Sequence, residues 1–435
     1  MKTKNSNYPR FFWTALVIFG LTGQVAWVIE NMYFNVFIYK MFSASAAQIS
    51  LMVSASAAAA TITTLLIGPL SDKLGKRKLF ISLGYILWGV SILSFAFIRN
   101  DFIAKLFPTL SAMSVGVTLV IIMDCVMTFF GSTANDACFN AWLTDATENN
   151  GRGAAEGINS MMPLVAILVV FGGFMSFDLN KAESWTTIYI IIGSAVILIG
   201  ILGIFLIKET TNRSDENKNY IKNIFYGFRP KVIKQNPILY ITFILFAVFG
   251  ISIQIFMPYL ILYYNVSLKM ENYVLIMAPA IILAAVFTAL YGKRYDNKGF
   301  MSAVIPAVAL LCAGYVLLFF FKNIAVVFVG SLLMMCGYLS GMAVFGAAIR
   351  DLTPKGKAGM FQGLRIISQV LIPGIVGPII GAAVLKNAEQ IVNDDGTTSF
   401  VPNENIFLFA LLVAALLAIL LIPLFKIIKK EKQNV

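Results

Sequence analysis

Twelve apolar segments separated by short polar intervals run the length of this chain and leave it few folds to adopt. They lie near residues 11–39, 46–70, 79–98, 109–144, 157–177, 186–207, 237–265, 273–292, 301–321, 324–349, 359–385 and 406–426. A bilayer core takes about 20 apolar residues per helix, and inside it each main-chain polar group has to be satisfied within the segment. The pattern therefore predicts an all-α integral membrane protein with 12 transmembrane helices. Composition agrees: 59% of residues are hydrophobic and 12% charged, where a soluble domain carries roughly a quarter charged. The opening MKTKNSNYPR and its apolar run lack a small-residue cleavage site, so they read as a retained first span rather than a signal peptide.

The net charge of +12 raises nucleic acid as a partner, but the basic residues form no single patch. Most of them fall in alternate inter-span intervals, the distribution expected when those loops stay in the cytoplasm. This places both termini inside a multi-pass protein of the cell membrane, with the lipid bilayer as partner and no nucleic acid. The longest polar interval, 208–235, divides the chain into an N-terminal six-helix bundle (1–207), a cytoplasmic linker and a C-terminal six-helix bundle (236–435). Within the linker, the stretch from Tyr220 to Ile233 alternates apolar and basic residues, as either an interfacial helix or a solvated connector would. Cys125, Cys138, Cys312 and Cys336 lie in apolar segments without CxxC spacing and read as packing residues.

Internal repeats support two related halves. Phe19, Gly20 and Gln24 recur as Phe249, Gly250 and Gln254, each 230 residues on. Gly68, Asp72 and Gly75 recur as Gly292, Asp296 and Gly299, while Asp145, Thr147, Gly153 and Gly157 recur as Asp351, Thr353, Gly359 and Gly363. The three sets keep their order in each half.

The charged stretch GPLSDKLGKRK (68–78) sits between spans two and three. Gly68 offers close helix approach, Gly75 a tight reversal, and Asp72 an acceptor for basic side chains or the N–H groups of a helix end. Lys76, Arg77 and Lys78 are placed to anchor span three at the headgroups. The stretch resembles the loop between spans two and three of the major facilitator superfamily (MFS), and helix number, central linker and repeat extend the resemblance to the whole chain. It implies the MFS fold of two pseudo-symmetric six-helix bundles. It also implies that Asp72 and Arg77 belong to an inner-side lock between the bundles, with Asp145, Arg152, Asp296, Arg350, Asp351, Lys355, Lys357 and Arg365 as further gating members. Arg365 has the alternative of reaching the cavity.

Ionisable groups inside hydrocarbon are costly and mark functional candidates. Span one carries Gln24, Asn31 and Asn35 along one stripe, with Trp27 and Glu30 beside it. At ~1.5 Å per residue Gln24 falls roughly 21 Å from Arg10, near mid-membrane. An aromatic platform beside amides and a carboxylate suits a polyol, whose hydroxyls seek acceptors and whose C–H face stacks on a ring; interhelical hydrogen bonding is the plainer reading. Span four repeats polar residues every four positions, at Asp124, Thr128, Ser132, Asp136 and Asn140. Asp136, ~14 Å from Asp145 along the helix, is the mid-membrane acid, and Asp124 lies nearer the outer mouth. Either acid can carry a proton or, with neighbouring oxygens, ligate Na⁺. Gln254 joins the set as the counterpart of Gln24.

Within the superfamily, two runs resemble the glycoside-pentoside-hexuronide:cation symporters and sucrose transporters. Trp27-Val-Ile-Glu30 is similar to the Trp-Ala-Leu-Gln/Glu run of sucrose-type first spans, and Gly75-Lys-Arg-Lys-Leu-Phe80 to their Gly-Arg-Arg-Arg-Pro-Phe. Asp136 with Phe139 resembles the sugar-binding Asp-x-Pro-Phe of melibiose-type permeases, with Cys138 in place of proline. Span two lacks the two aspartates that hold the cation in those permeases, and the absence of histidine excludes a histidine proton relay. The run PGIVGPIIG (373–381) reads as a kinked, closely packed helix.

There is no phosphate-cradling motif, metal-ligand cluster or nucleophile triad in the sequence. It predicts no enzyme and no cofactor beyond a coupling ion, H⁺ or Na⁺. The expected function is monomeric, cation-coupled symport of a small polar solute, a sugar or glycoside. A cation-driven exporter of drugs or other amphipathic compounds is the alternative; a non-transporting receptor or scaffold is a remote one.

Overall fold

The computed structural model describes residues 10–146, 152–209, 226–270, 272–354, 358–393 and 396–433. Ten continuous helices among them are long and apolar enough to cross a membrane. We label the spans α1 (Phe11–Phe42), α2 (Ala46–Leu74), α3 (Arg77–Ser94), α4 (Ala112–Leu143), α5 (Arg152–Phe174), α6 (Ala182–Leu206), α7 (Pro237–Ser267), α8 (274–298), α9 (300–320), α10 (Ile324–Leu352), α11 (Gly363–Val384) and α12 (Asn405–Gln433). The twelfth and eleventh members of the expected set are recovered in two ways. A 47-residue helical run, Val274–Phe320, is interrupted at Gly299 (φ 76°, ψ 178°) and comprises α8 and α9. In α5 the apolar part is short, Met161–Phe174.

Gly75 (φ 62°) and Gly299 (φ 76°) both have left-handed φ. They are the paired glycines of the sequence repeat, so the repeat encodes a chain reversal in each half. At Gly299 no atom lies within 4 Å of where a Cβ would sit, so a substitution there meets only the backbone cost, about 1–3 kcal/mol for such φ/ψ values. Gly299→Ala is expected to lower the melting temperature in detergent, whereas Gly292→Ala, in helix with equally open surroundings, is neutral or slightly stabilising. Equal melting of the two variants would contradict this assignment. Gly68 has no neighbour within 4 Å of a built Cβ, so the expectation that it admits a close-packed helix is corrected: its environment is open.

The chain forms two compact units, Met1–Ala44 with Ala58–Tyr220, and Ser45–Ala57 with Ile221–Val435. Within the first, α1 packs on α5 and α6, and α3 on α4 and α6. Within the second, α7 packs on α11 and α12, the α8–α9 run on α10 and α12, and the outset of α2 joins them. Equivalent residues make equivalent contacts. Gly20 of α1 faces Met162 and Asn159 of α5, and Gly250 of α7 faces Pro373 of α11. Tyr85 of α3 donates from Oη to Phe19 O of α1 at 2.8 Å, and Tyr315 of α9 places Oη 3.1 Å from Ser252 Oγ of α7. Both tyrosines are fully buried, and they stand 230 residues apart, the offset of the first repeat.

Short elements close the ends of the bundles. Arg99 joins the α3–α4 connection to the start of α6 through Asp101 (3.0 Å) and Glu183 (3.3 Å), and its hydrogen bond holds the Asp101 carboxyl below the usual carboxylate range. Between α11 and α12 an antiparallel hairpin pairs Gln390–Val392 with Thr398–Phe400. Of the linker, residues 210–225 lie outside the described residues. Its end forms a short helix, Pro230–Gln235, with Val232 buried and Ile233 exposed. Just ahead of it, Tyr226 packs on Phe361. None of the four cysteines is in a disulfide, and Cys138 and Cys336 are buried.

Candidate functional site

The polar faces of α1 and α4 are each shaped by a π-helical segment. In α1 it spans Ile29–Tyr33, with the Phe34 N–H bonded to Ile29 O; in α4 it spans Ser132–Phe139, with the Asn140 N–H bonded to Asn135 O. An i→i+5 turn rotates the residues after it relative to an α-helix, and such turns are frequent at functional sites. The single stripe inferred for α1 from α-helical spacing is corrected accordingly. In α1 Gln24 is half-buried, Asn31 is exposed and Asn35 is buried. Asn31 Nδ2 donates to Trp27 O (2.8 Å), and Asn35 Nδ2 donates to Asn31 O (3.0 Å). In α4 the residues divide into two groups at different depths.

The first group centres on Asp136, which is half-buried. Ser132 Oγ donates to Asp136 Oδ2 at 3.1 Å, and Asn140, itself exposed, donates from Nδ2 to Asp136 O at 3.3 Å. The half-buried Trp27 indole is directed at the Asp136 carboxylate, without meeting the distance and angle of a full hydrogen bond. Behind it the Trp27 ring rests on Trp88 (5.1 Å between centroids), and Trp88 on Tyr85 (5.5 Å). Tyr85 Oη, while donating to Phe19 O, accepts from Asn135 Nδ2 at 2.7 Å. An accessible carboxylate, a hydroxyl and an indole face are thus held by a fully buried aromatic and amide layer, the preorganisation that recognition of a polar solute needs.

The second group is enclosed. Glu30 is 6% and Asp124 2% exposed. Thr128 Oγ1 donates to Glu30 Oε1 at 2.8 Å, and Asp124 stands one helical turn from Thr128 on α4. Glu30 is thus engaged in a hydrogen bond between α1 and α4.

Gating candidates are placed unevenly. Side chains of Asp72, Asp145 and Arg152, and residues Lys355 and Lys357, lie outside the described residues. Arg77 was expected to anchor span three at the headgroups. Instead it is 6% exposed and donates from Nη1 to Ala141 O of α4 at 2.9 Å, so it ties α3 to α4 inside the first unit. Glu209, just beyond α6, is absent from the sequence-derived set. Its carboxylate accepts the N–H groups of Arg77 and Lys78, both at 3.1 Å, capping α3 where the helix dipole is positive. Loss of a cap costs about 0.5–2 kcal/mol; Glu209→Ala is expected to lower the melting temperature, and Glu209→Asp to restore part of it if the carboxylate is responsible. In the second unit Tyr295 donates to Asp351 Oδ2 at 2.6 Å, the counterpart link between a reversal and its neighbouring span. Asp296 and Arg350 are exposed. Arg365 is half-buried and donates from Nε to Gln369 Oε1 of its own helix at 3.4 Å. Gln254 is half-buried on α7, its Cβ against Gly377 of α11.

Twelve spans in repeated packing, with polar side chains buried inside one unit, define a multi-pass membrane carrier. The chain belongs to the Major Facilitator Superfamily, whose family model matches residues 11–378, and it is a transporter of that superfamily. No curated protein matches it in sequence. Similar solved structures include a mutant of the nucleoside transporter NupG, at 13% identity and TM-score 0.72, covering 95% of this chain and 99% of that one. A bacterial homolog of the human lysosomal transporter Spinster, in an inward-facing and occupied conformation, has 15% identity and TM-score 0.70, covering 97% and 98%. The xylose transporter XylE from E. coli has 13% identity and TM-score 0.68, covering 93% and 96%. At these identities the likeness is one of fold.

Proposed function

We propose that this transporter carries a sugar or glycoside across the cell membrane by alternating access, in symport with H⁺ or Na⁺. The observation that carries the reading is the Asp136–Ser132–Trp27 constellation: a half-buried aspartate with a hydroxyl 3.1 Å from its carboxylate and an indole beside it. A carboxylate accepts from two adjacent sugar hydroxyls, and an indole face covers the C–H side of the ring. Gln24, half-buried on α1, adds an amide donor and acceptor, and Gln254 holds the repeat-related place on α7. Nucleoside and xylose transporters among the similar structures are compatible with a polyol of this kind.

In this reading the halves 1–207 and 236–435 move about the linker 208–235. Asp72, Arg77, Asp145, Arg152, Asp296, Arg350, Asp351 and Arg365 act at the cytoplasmic closure, both termini face the cytoplasm, and the monomer is the working unit. The test is a thermal-shift screen of the purified protein against sugars, glycosides, nucleosides, amino acids and amphipathic drugs, with and without Na⁺ and at two pH values. A sugar or glycoside is expected to give the largest stabilisation, since a ligand bound only by the native state raises its stability by mass action. Stabilisation by amphipathic drugs alone would replace this reading with an exporter.

A further inference from the structure

Where α1 and α3 end and α6 begins, the first unit holds a cavity of about 290 Å³ that shares no residue with the Asp136 group. One wall is aromatic, made by Phe37 of α1, Phe95 just past α3 and Trp185 of α6, each at most 2% exposed. Phe37 and Trp185 pack on each other with ring centroids 5.2 Å apart. The other wall is polar and comes from Arg99, Asn100, Asp101 and Thr186.

A guanidinium organises the polar wall. Arg99 donates from Nε to Asp101 Oδ1 (3.0 Å), from Nη2 to Glu183 Oε1 (3.3 Å) and from Nη1 to Thr186 Oγ1 (3.4 Å). A guanidinium has five N–H groups, so two remain for an anion. The two carboxylates outnumber the one cation, and the rim therefore also favours a positive group. A ligand that carries both charges matches this wall.

Asn100 sets the kind of positive group. Its Nδ2 donates to Met41 O at 2.8 Å, while its Oδ1 is buried and has no hydrogen-bond partner among the described residues. Neighbouring donors are committed elsewhere, Thr186 Oγ1 to Ala182 O (3.0 Å) and the Trp185 indole to Leu179 O (2.9 Å). A buried acceptor without a donor is rare and costly. An aromatic wall accepts a quaternary ammonium as well as a primary one. Only the primary ammonium brings N–H groups to the Asn100 oxygen.

Position supplies the rest of the ligand. The ends of spans lie at the depth of lipid headgroups, and in the connection beyond α3 the side chains of Phe97, Phe102, Leu106 and Phe107 are exposed. Apolar surface of this kind at a span end belongs against acyl chains.

We propose that the cavity binds the headgroup of an aminophospholipid, phosphatidylethanolamine. Its ammonium donates to Asn100 Oδ1 and Asp101, its phosphate accepts from the two remaining N–H groups of Arg99, and its acyl chains run along Phe97 and Phe102. The site is independent of which solute the protein carries.

The test titrates dioleoyl phosphatidylethanolamine, phosphatidylcholine and phosphatidylglycerol into the purified full-length protein in detergent and counts bound lipid by native mass spectrometry. Phosphatidylethanolamine is expected to bind about tenfold more tightly than either of the others, the effect of one hydrogen bond from a charged donor. Asn100→Leu should lose this preference and Asn100→Asp keep it. Both variants lack the bond from Nδ2 to Met41 O, so a difference between them reports the acceptor alone. Ala182→Leu narrows the cavity from its α6 side without removing a polar group, should abolish the preference, and gives an answer even if Asn100→Leu does not fold. Equal binding of the ethanolamine and choline lipids, or a preference for phosphatidylglycerol, overturns the proposal. So does a preference that survives in Asn100→Leu or Ala182→Leu, or one that is lost in Asn100→Asp as well. If free phosphoethanolamine binds as tightly as the lipid, the ligand is a soluble amine and the lipid assignment fails.

Discussion

Asp136→Asn is expected to yield a folded protein that no longer accumulates solute. Asparagine matches aspartate in shape and retains an acceptor for the Ser132 hydroxyl, now 3.1 Å away, so the π-helical segment Ser132–Phe139 keeps its local bonds. What disappears is the negative charge that strengthens hydrogen bonds from solute hydroxyls. Charge-assisted hydrogen bonds contribute about 1.5–3 kcal/mol, so solute affinity should fall roughly tenfold to a hundredfold. Binding by calorimetry and uptake into proteoliposomes both read this, with melting temperature as the folding control. Unchanged binding and uptake would remove Asp136 from the site.

The second large effect is structural. Trp88 is fully buried, lies between Trp27 and Tyr85, and packs against Gly131 of α4. For a helix that remains in lipid when the bundle opens, the water-to-interior transfer contributes little, and the loss on truncation comes from packing. A cavity on the order of 100 Å³ at ~24 cal/mol per Å³ gives roughly 2–3 kcal/mol. Trp88→Ala is therefore expected to lower the melting temperature clearly and also to weaken solute binding, because Trp27 loses its support. Trp88→Phe, which refills much of the void, should recover most of both. A Trp88→Ala protein with wild-type stability would show that this aromatic layer does not carry the first unit's core.

The topology was legible because lipid imposes it. Segment length and the positions of the charged reversals specify spans, and the repeat of Gly75 at Gly299 is realised as the same left-handed backbone turn twice. The faces of the helices were less legible. A spacing of four residues drifts about 40° per step on an α-helix, so Asp124 to Asn140 read as one slowly turning face, and a π-helical segment over Ser132–Phe139 changes that rotation partway along. Sequence periodicity does not announce that change. Arg77 departs from its expectation for a different reason: a basic residue beside a membrane is expected at headgroups, whereas its guanidinium donates to Ala141 O, 64 positions away on α4. One missed signal was present, since Tyr85 and Tyr315 share the 230-residue offset of Phe19 and Phe249.

The central claim is that a cation gradient drives a polar solute through this protein. The most direct measurement reconstitutes it in liposomes and follows uptake of the sugar that stabilises it most, under an imposed Na⁺ gradient, an imposed proton gradient and neither. The account predicts accumulation above the external concentration with one of the two gradients, collapse of that accumulation when the gradient is dissipated, and its loss in Asp136→Asn. Uptake that stops at equilibrium under every gradient would contradict it.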